Sequence, residues 1–303
     1  MREFPPSLQR LSGTVGLWTS THEWIAPDQL SELALDVESL GYAAMWLDES
    51  WGREALTGAG LLLTPTSNLV VATGIASIWA RDAVATVNAA RTLNAAYDDR
   101  FVLGLGVSHR PLVERLRGHV YAAPVRAMRE YLDAMDAAPM LAAESGHPYA
   151  RVLAALGPKM LELGASRTDG VLPYLVTVEH TAGTRRLIGD AFLAVEQAVV
   201  LGQDRAEFLR RAHQHLEHYT GLENYTNNWR RLGFDDTDLV RGGSDRLCDA
   251  LVVHGDESVV ASRIAEHRNA GADHVCLQVL GDDVTSAPRD EWRRLAPAVI
   301  GRN

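Results

Sequence analysis

Residues 14–47 read TVGLWTSTHEWIAPDQLSELALDVESLGYAAMWL, and this stretch has the pattern of a strand, a helix and a second strand. The helix is indicated by apolar residues at the i, i+3, i+4 and i+7 spacing, by Pro27 at its start and by Gly41 just after its end. The flanking runs, 14–19 and 43–47, are largely apolar rather than alternating, which is typical of parallel strands that are covered on both faces. The stretch therefore predicts a βαβ unit in an α/β protein.

The same alternation continues along the chain. Six further strands are predicted at 69–75, 100–106, 151–156, 170–176, 191–200 and 274–280, each beside a helical pattern. Eight such units in 303 residues predict a (β/α)₈ TIM barrel, with a doubly wound parallel sheet as the alternative. No linker rich in Pro, Gly or Ser divides the chain, so we expect one domain over residues 1–303. The polar stretch at about 204–249, between strands seven and eight, is expected to be an inserted helical excursion.

The composition disfavours several classes of function. With 29 basic and 39 acidic residues the formal net charge is −10, which argues against nucleic acid or an anionic membrane as the main partner. No apolar run approaches the roughly 18–20 residues of a membrane span, and the amino terminus lacks the apolar segment of a signal peptide. Cys248 and Cys276 form neither a disulfide framework nor a metal motif. We therefore expect a cytoplasmic protein that acts on a small molecule.

Polar residues and glycines gather where the predicted strands end, whereas the strand bodies are aliphatic. In a TIM barrel the carboxyl ends of the strands form one face, and active sites lie there. Asp48 and Glu49 follow the second strand. Because adjacent strand residues point to opposite faces, only one of these carboxylates is expected to face the pocket. The other is expected to cap a helix or to pair with Arg53.

Two glycine-containing stretches indicate a bound ring and a bound anion. Residues 103–108, LGLGVS, lack the third glycine of a dinucleotide fingerprint, so their small residues are expected to let a flat ring approach the backbone. Gly157-Pro158-Lys159 precedes a helical run, which would present free N–H groups and a positive dipole end to an anion such as phosphate. Lys159 is the only Lys among the 29 basic residues; codon bias explains the rarity, and a solvated side chain is the alternative reading of its position.

The stretch His213-Gln214-His215-Leu216-Glu217-His218 brings potential metal ligands onto shared helical faces. It is polar throughout, and no further ligand is implied by the sequence. We therefore interpret it as a solvated helix face and expect no metal site.

Taken in order, these stretches resemble the luciferase-like monooxygenase superfamily and, within it, the actinobacterial F420-dependent oxidoreductases. The resemblance covers about residues 13–300 and rests on TGIASIWARD at 73–82, RFVLGLGVSH at 100–109, PVRAMREYL at 124–132 and ALGPKMLEL at 155–163. It implies a barrel that binds coenzyme F420 at its carboxyl face and transfers a hydride between deazaflavin carbon C5 and a small organic substrate. It also implies a homodimer. An FMN-dependent monooxygenase that uses O₂, and a catalytically silent barrel that binds the cofactor, are the alternatives.

The resemblance implies a set of cofactor-binding residues around a cis peptide between Gly74 and Ile75, which would back the ring. The cofactor-binding residues expected from it and from the strand ends are Asp48, Ser50, Gly74, Ile75, Ala76, Gly106, Val107, Ser108, Gly157, Pro158, Lys159 and Thr177. The phosphate-bearing tail would lie across Gly157-Pro158-Lys159 and near Thr177, in agreement with the anion site expected from the sequence.

The resemblance also bears on proton transfer. Sugar-phosphate dehydrogenases of the superfamily carry an acid–His pair after strand two and a Glu after strand four, where this chain has Glu49-Ser50 and His109. Because Ser50 replaces the histidine, that sugar chemistry is not expected here. His109 is then the best candidate proton donor, since the ordinary pKa of histidine is near 6.5. His22 and Glu49 are the other catalytic candidates.

Overall fold

The computed structural model describes residues 2–121, 123–139, 146–283 and 285–301 of the chain. The strands are β1 (Thr14–Thr19), β2 (Ala44–Leu47), β3 (Val70–Thr73), β4 (Ala76–Ser77), β5 (Phe101–Gly106), β6 (Ala150–Ala154), β7 (Gly170–Leu172), β8 (Phe192–Leu201), β9 (Val252–Gly255) and β10 (His274–Val279). The helices are α1 (Pro6–Leu11), α2 (Pro27–Ser39), α3 (Ala55–Leu63), α4 (Ala83–Ala96), α5 (Pro124–Asp136), α6 (Pro158–Arg167), α7 (Val178–Ile188), α8 (Arg205–Tyr219), α9 (Glu223–Arg231), α10 (Asp245–Leu251), α11 (Glu257–Asn269) and α12 (Arg289–Val299).

Eight of the strands close into a parallel barrel. Their order is β1, β2, β3, β5, β6, β7, β8 and β10, and β10 pairs with both β8 and β1, so these eight strands leave no open edge. Of the other two, β4 pairs with the end of β5, and β9 pairs with residues 198–201 of β8. The predicted TIM barrel is confirmed, and the doubly wound sheet is excluded because its edges would be open.

Burial on two faces explains the apolar strands. Alternate strand residues such as Trp46, Ala72 and Phe192 form a cluster within the barrel. Their neighbours, such as Met45 and Val71, pack against the surrounding helices in a larger cluster. Each fully buried large side chain stabilises the fold by roughly 1.5–3 kcal/mol, so continuous apolar runs are favoured over alternating ones.

Several strands end earlier than the sequence predicted, and two of these early ends have a local cause in the chain. The third stops at Thr73, where the chain turns through Gly74 and Ile75 before β4 begins. The sixth stops at Leu172, because Pro173 has no N–H to continue the ladder. Both early ends open the carboxyl face of the barrel.

The predicted excursion after β8 is helical and comprises α8, α9 and α10. Asp204 caps α8 by accepting the amides of Ala206 and Glu207, and Ser244 caps α10. Its apolar residues, including Trp229, pack with residues from the β7–β8 side of the barrel in one cluster. The excursion therefore sits over the carboxyl face. Within the described ranges, no helix combines the length and apolar character that crossing a bilayer demands.

Candidate active site

A cavity of about 550 Å³ opens at the carboxyl ends of the strands. Its wall joins segments that are far apart in the sequence. Among the lining residues are Trp18, Asp48, Glu49, Ser50, Gly74, Ile75, Gly106, Val107, Ser108, His109, Gly157, Pro158, Lys159, Tyr174, Tyr219, Tyr225 and Arg231. Most of the predicted cofactor-binding residues therefore share one cavity.

One wall of this cavity is formed by the third and fourth barrel strands. The peptide between Gly74 and Ile75 is cis, as predicted, and the indole N–H of Trp18 donates to the Gly74 carbonyl at 2.8 Å. Gly106 lies beneath Ile75, because a Cβ at Gly106 would be 2.5 Å from Ile75 Cδ1. The sequence predicted that this glycine admits a ring directly. In the structure it admits the Ile75 side chain, which becomes part of the wall.

The opposite end of the cavity is cationic. Gly157 is the N-cap of α6 and Pro158 its first residue, with no acidic side chain in the first turn, as the anion prediction required. Lys159 lines the cavity beside them. Arg231 approaches from α9, since its Nη2 would be 3.6 Å from a Cβ at Gly157. Neither Lys159 nor Arg231 forms an ion pair with a described carboxylate, so this end has positive charge available for an anion.

Glu49 is held by the protein rather than free in the cavity. Its carboxylate accepts the amides of Ser77 at 2.7 Å and Ala55 at 3.3 Å, and it pairs with Arg81. The Ala55 contact agrees with the predicted helix-capping alternative. The alternative prediction, that this carboxylate pairs with Arg53, is wrong. The Arg53 guanidinium donates to the carbonyl groups of His22 and Ile25 instead. Glu49 thus ties β2, β4 and α3 together.

Asp48 lines the cavity beside Glu49, so the expectation that only one of the two carboxylates faces the pocket is wrong. Ser50 Oγ donates to its Oδ2 at 2.7 Å, while no described residue hydrogen-bonds to Oδ1. Burial is the main cause that raises the pKa of Asp48 to about 6, and the Ser50 hydrogen bond opposes that rise. A carboxyl group with this pKa exchanges a proton near neutral pH, as a general acid or base must.

His22 does not line the cavity. Its side chain is fully buried, with Nδ1 at 3.1 Å from the Thr19 carbonyl and 3.8 Å from Asp48 Oδ1. Burial lowers its pKa, so it is held neutral. Ligand atoms of His22, Glu23 and Asp48 lie within 4.8 Å of one another, but Glu23 already accepts the amides of Ser50 and Trp51. Glu23 is thus engaged with the backbone, while His22 Nε2 and Asp48 Oδ1 are buried without a hydrogen-bond partner among the described residues.

His109 lines the cavity in a different state from the one expected. Burial, aided by the nearby His218, lowers its pKa to about 4, so the ring is neutral at physiological pH. Its ring centroid lies 5.8 Å from that of Tyr225 and 6.2 Å from that of His218. His109 can therefore donate a hydrogen bond as neutral imidazole, whereas the sequence predicted a proton donor with the ordinary histidine pKa near 6.5.

Two predicted cofactor residues are placed elsewhere. Ala76 is fully buried in the core, where β4 pairs with β5, and it does not line the cavity. Thr177 caps α7, and its hydroxyl accepts the amide of His180 at 3.3 Å. The hydroxyl is thereby committed to the helix, and Thr177 is also absent from the cavity wall.

Helix α8 contributes site residues that were not predicted from the sequence. Tyr174 OH donates to Gln278 Oε1 at 2.6 Å and lies 3.0 Å from the hydroxyl of Tyr219 on α8. His215 Nε2 is 3.5 Å from the same Tyr174 hydroxyl. The interpretation of 213–218 as a solvated face is thus wrong for His215. The signal was available, since His215 and Tyr219 are four residues apart and share a helix face.

A second acid lies deeper in the barrel. Glu196 on β8 is fully buried; its Oε2 accepts the Leu175 amide at 2.9 Å, and Oε1 has no partner among the described residues. Burial raises its pKa to about 8. The folded protein therefore binds more protons than the unfolded chain between about pH 4.5 and 8, and stability falls as pH rises through that range.

Replacing Glu196 by Gln is expected to stabilise the protein by about 2–3 kcal/mol at pH 7. Glutamine keeps the acceptor for Leu175 and removes the cost of holding a neutral carboxyl that is ionised in the unfolded chain. Urea unfolding from pH 5 to 8 measures the effect. The variant should gain most at pH 8 and little at pH 5, and equal stability of the two proteins across the range would contradict the assignment.

The fold and the cavity at its carboxyl face define a class of protein. A sequence model of the luciferase-like monooxygenase family matches residues 10–274, and the chain belongs to that family. It is therefore an enzyme of the luciferase-like class.

Individual similar proteins include both F420-related and FMN-binding members. A Mycobacterium tuberculosis protein provisionally named coenzyme F420-dependent oxidoreductase Rv3520c is 26% identical, over 90% of this chain and 95% of its own. An F420-dependent secondary alcohol dehydrogenase, solved with an F420–acetone adduct, superposes with a TM-score of 0.74 at 16% identity, over 95% of this chain and 99% of that chain. The oxygenating component of a Pseudomonas putida diketocamphane monooxygenase, solved with FMN, superposes with a TM-score of 0.67 at 15% identity, over 95% of this chain and 98% of that chain. At these identities the structural likeness shows a shared fold.

Proposed function

We propose that the protein is an F420-dependent oxidoreductase that transfers a hydride between the deazaflavin and a small organic substrate. The observation that carries the proposal is the 550 Å³ cavity, which joins the wall at Gly74–Ile75 to the cationic end at Lys159 and Arg231. F420 has two parts that correspond to these, a flat ring for the wall and a phosphate-bearing tail for the cationic end. The mycobacterial relative and the F420-binding alcohol dehydrogenase support this cofactor.

The residues present fit such a cofactor. Gly74, Ile75 and the stretch 106–108 would hold the ring, and Gly157–Lys159 with Arg231 would hold the anionic tail. When bound, F420 supplies the hydride chemistry. The protein positions the ring, excludes water and supplies the proton-exchanging group.

We assign proton exchange to Asp48, which lines the cavity; its Oδ2 accepts from Ser50 Oγ, and its Oδ1 is buried without a hydrogen-bond partner among the described residues. His109 remains a proposed hydrogen-bond donor to the substrate. Glu49 is proposed as a positioning residue, because its contacts with Ser77, Ala55 and Arg81 leave it no freedom to move a proton. His22 is proposed to be a positioning residue for Asp48, because its buried Nδ1 lies 3.8 Å from Asp48 Oδ1. The expected homodimer stays a prediction, which light scattering of the purified protein tests.

Titration of the purified protein with F420 and with FMN tests the cofactor. We expect micromolar affinity for F420 and at least about tenfold weaker binding of FMN. Ligand fluorescence or calorimetry gives both constants without any substrate. Tight retention of FMN with no affinity for F420 would overturn the proposal in favour of a flavin monooxygenase.

Two single substitutions, each of one arginine, test where the anionic tail lies. Replacing Arg231 by Gln is expected to weaken F420 binding about tenfold, as loss of a charge-assisted contact would. It should leave binding of the tail-free deazaflavin ring system within about twofold. Arg230→Gln is the matched control, because Arg230 is paired with Asp236. Equal effects of both substitutions on F420 would place the tail elsewhere.

A further inference from the structure

A second cavity, of about 340 Å³, adjoins the first. The two share Trp18, Asp48, Ser50 and Tyr219 as wall residues. The second cavity therefore meets the first at the carboxylate assigned to proton exchange. It is lined by Asp48 and by Trp18, whose indole N–H donates to the Gly74 carbonyl of the ring wall.

The charge of this cavity disfavours anions. Four acidic residues line it, namely Glu23, Asp48, Asp282 and Asp283, of which Asp282 is paired with Arg210 and Arg211. Arg211 is the one Lys or Arg among its described lining residues, and its guanidinium is fully engaged: Nε donates to Glu207 at 2.6 Å, Nη1 to the Leu280 carbonyl at 2.9 Å, and Nη2 lies 2.9 Å from Asp282. The histidines at 215 and 218 have lowered pKa values through burial and are neutral.

The hydrogen-bond donors at the junction are also committed. Trp18 Nε1 donates to the Gly74 carbonyl, and Ser50 Oγ donates to Asp48. Tyr174 gives its one hydrogen to Gln278, so the Tyr219 hydroxyl 3.0 Å away must direct its hydrogen at Tyr174. Among these junction residues, the acceptors that remain for a ligand are Asp48 Oδ2 and the Tyr219 oxygen, since Asp48 Oδ1 is buried. A ligand that brings its own N–H donors complements them.

Aromatic faces complete the cavity. Trp24 is 53% exposed and Trp51 is 64% exposed, and both line it together with Trp18 and Tyr219. Exposed indoles cost free energy unless a ligand covers them, and a π-face attracts an organic cation as well as an apolar group.

We propose that this second cavity is the substrate site and that its substrate is an organic cation, an ammonium or iminium group on an apolar body. The inference rests on the proposed function for its redox chemistry. In the oxidation direction Asp48 takes one ammonium proton. The amine carbon then gives up a hydride with its electron pair, and the nitrogen lone pair forms the C=N bond of the iminium, with the deazaflavin as hydride acceptor. The reverse reaction reduces an iminium ion, which needs no proton at the same step.

Calorimetric titration with three probes of one shape tests the inference: benzylammonium, benzyl alcohol and benzoate. We expect benzylammonium to bind at least tenfold more tightly than benzoate, with benzyl alcohol between them. The measurement is made on the purified protein with and without F420. A failure to bind F420 would remove the proposed function but leave the cation preference, whereas tighter or equal binding of benzoate would remove the cation preference alone.

Substitutions locate the binding. Asp48→Asn is expected to weaken benzylammonium binding at least fivefold and to change benzyl alcohol binding less than twofold. Trp51→Ala should weaken both probes. Asp236→Asn, which removes an exposed carboxylate outside both cavities, is the matched charge control and should change neither. A benzylammonium preference that survives in Asp48→Asn, or no binding of any probe to the unmodified protein, would overturn the proposal.

Discussion

Asp48→Asn is expected to lower turnover about 100-fold or more while changing F420 affinity less than about threefold. General acid–base catalysis contributes roughly 10²–10⁴ in rate, and asparagine cannot exchange the proton. The substitution keeps the size of the side chain and an oxygen acceptor for Ser50 Oγ, which now donates to Asp48 at 2.7 Å. Turnover is followed as loss of oxidised F420 with the most active compound of a panel of amines and alcohols.

The pH profile separates this role from a structural one. Since the pKa of Asp48 is raised to about 6, its base form grows as pH rises through 6, and the oxidation rate should rise with it. The Ser50 hydrogen bond lowers that pKa, so Ser50→Ala should shift the rise to higher pH. Asp48→Asn should abolish it. A rise near pH 6 that persists in Asp48→Asn would assign the titration to another group and contradict the role of Asp48.

Gly104→Ala is expected to destabilise the fold by at least about 4 kcal/mol, enough to prevent recovery of folded protein. A Cβ at this position would overlap the carbonyl oxygen of Thr73 on the neighbouring strand. That strand is also fixed through the Thr73 hydroxyl, which donates to the Gly104 carbonyl at 2.7 Å and accepts the Gly104 amide at 2.8 Å. The backbone cannot move away without losing these buried hydrogen bonds.

Gly60→Ala is the matched control for that substitution. Gly60 lies in α3, and a Cβ there would meet Leu93 Cδ2 at 3.5 Å, an ordinary contact. Alanine is favoured over glycine in a helix interior by roughly 0.5–1 kcal/mol, so this variant should be slightly more stable. Urea unfolding measures both variants. Gly104→Ala within about 1 kcal/mol of the unmodified protein would show that β3 and β5 can separate.

The barrel was predictable because its signals are local. Each strand is a short apolar run bounded by glycine or polar residues, and 14–47 alone contains a complete unit. The anion end was predictable in part for the same reason, since Gly157, Pro158 and Lys159 are consecutive and the first turn of α6 follows from them.

The remaining parts of the site depend on tertiary packing. Arg231 reaches Gly157 only because α9 folds back over the barrel, a placement fixed by apolar contacts of Trp229 that no local pattern shows. Burial changes protonation in the same way. His109 has the ordinary pKa of histidine in the sequence and a pKa near 4 in its folded environment. Thr177 has a hydroxyl of the kind that binds phosphate, but in the folded chain this hydroxyl accepts the His180 amide and caps α7.

The hydrogen bond from Trp18 to the Gly74 carbonyl has a consequence for communication between ligands. Trp18 lines both cavities and donates to the Gly74 carbonyl. A substrate that contacts the Trp18 indole is therefore connected to the Gly74–Ile75 peptide, which is proposed to support the cofactor ring. We expect the two ligands to influence one another's affinity, and by thermodynamic linkage each would do so by the same factor. The cofactor's absorption spectrum would register the arrival of substrate before any hydride moves.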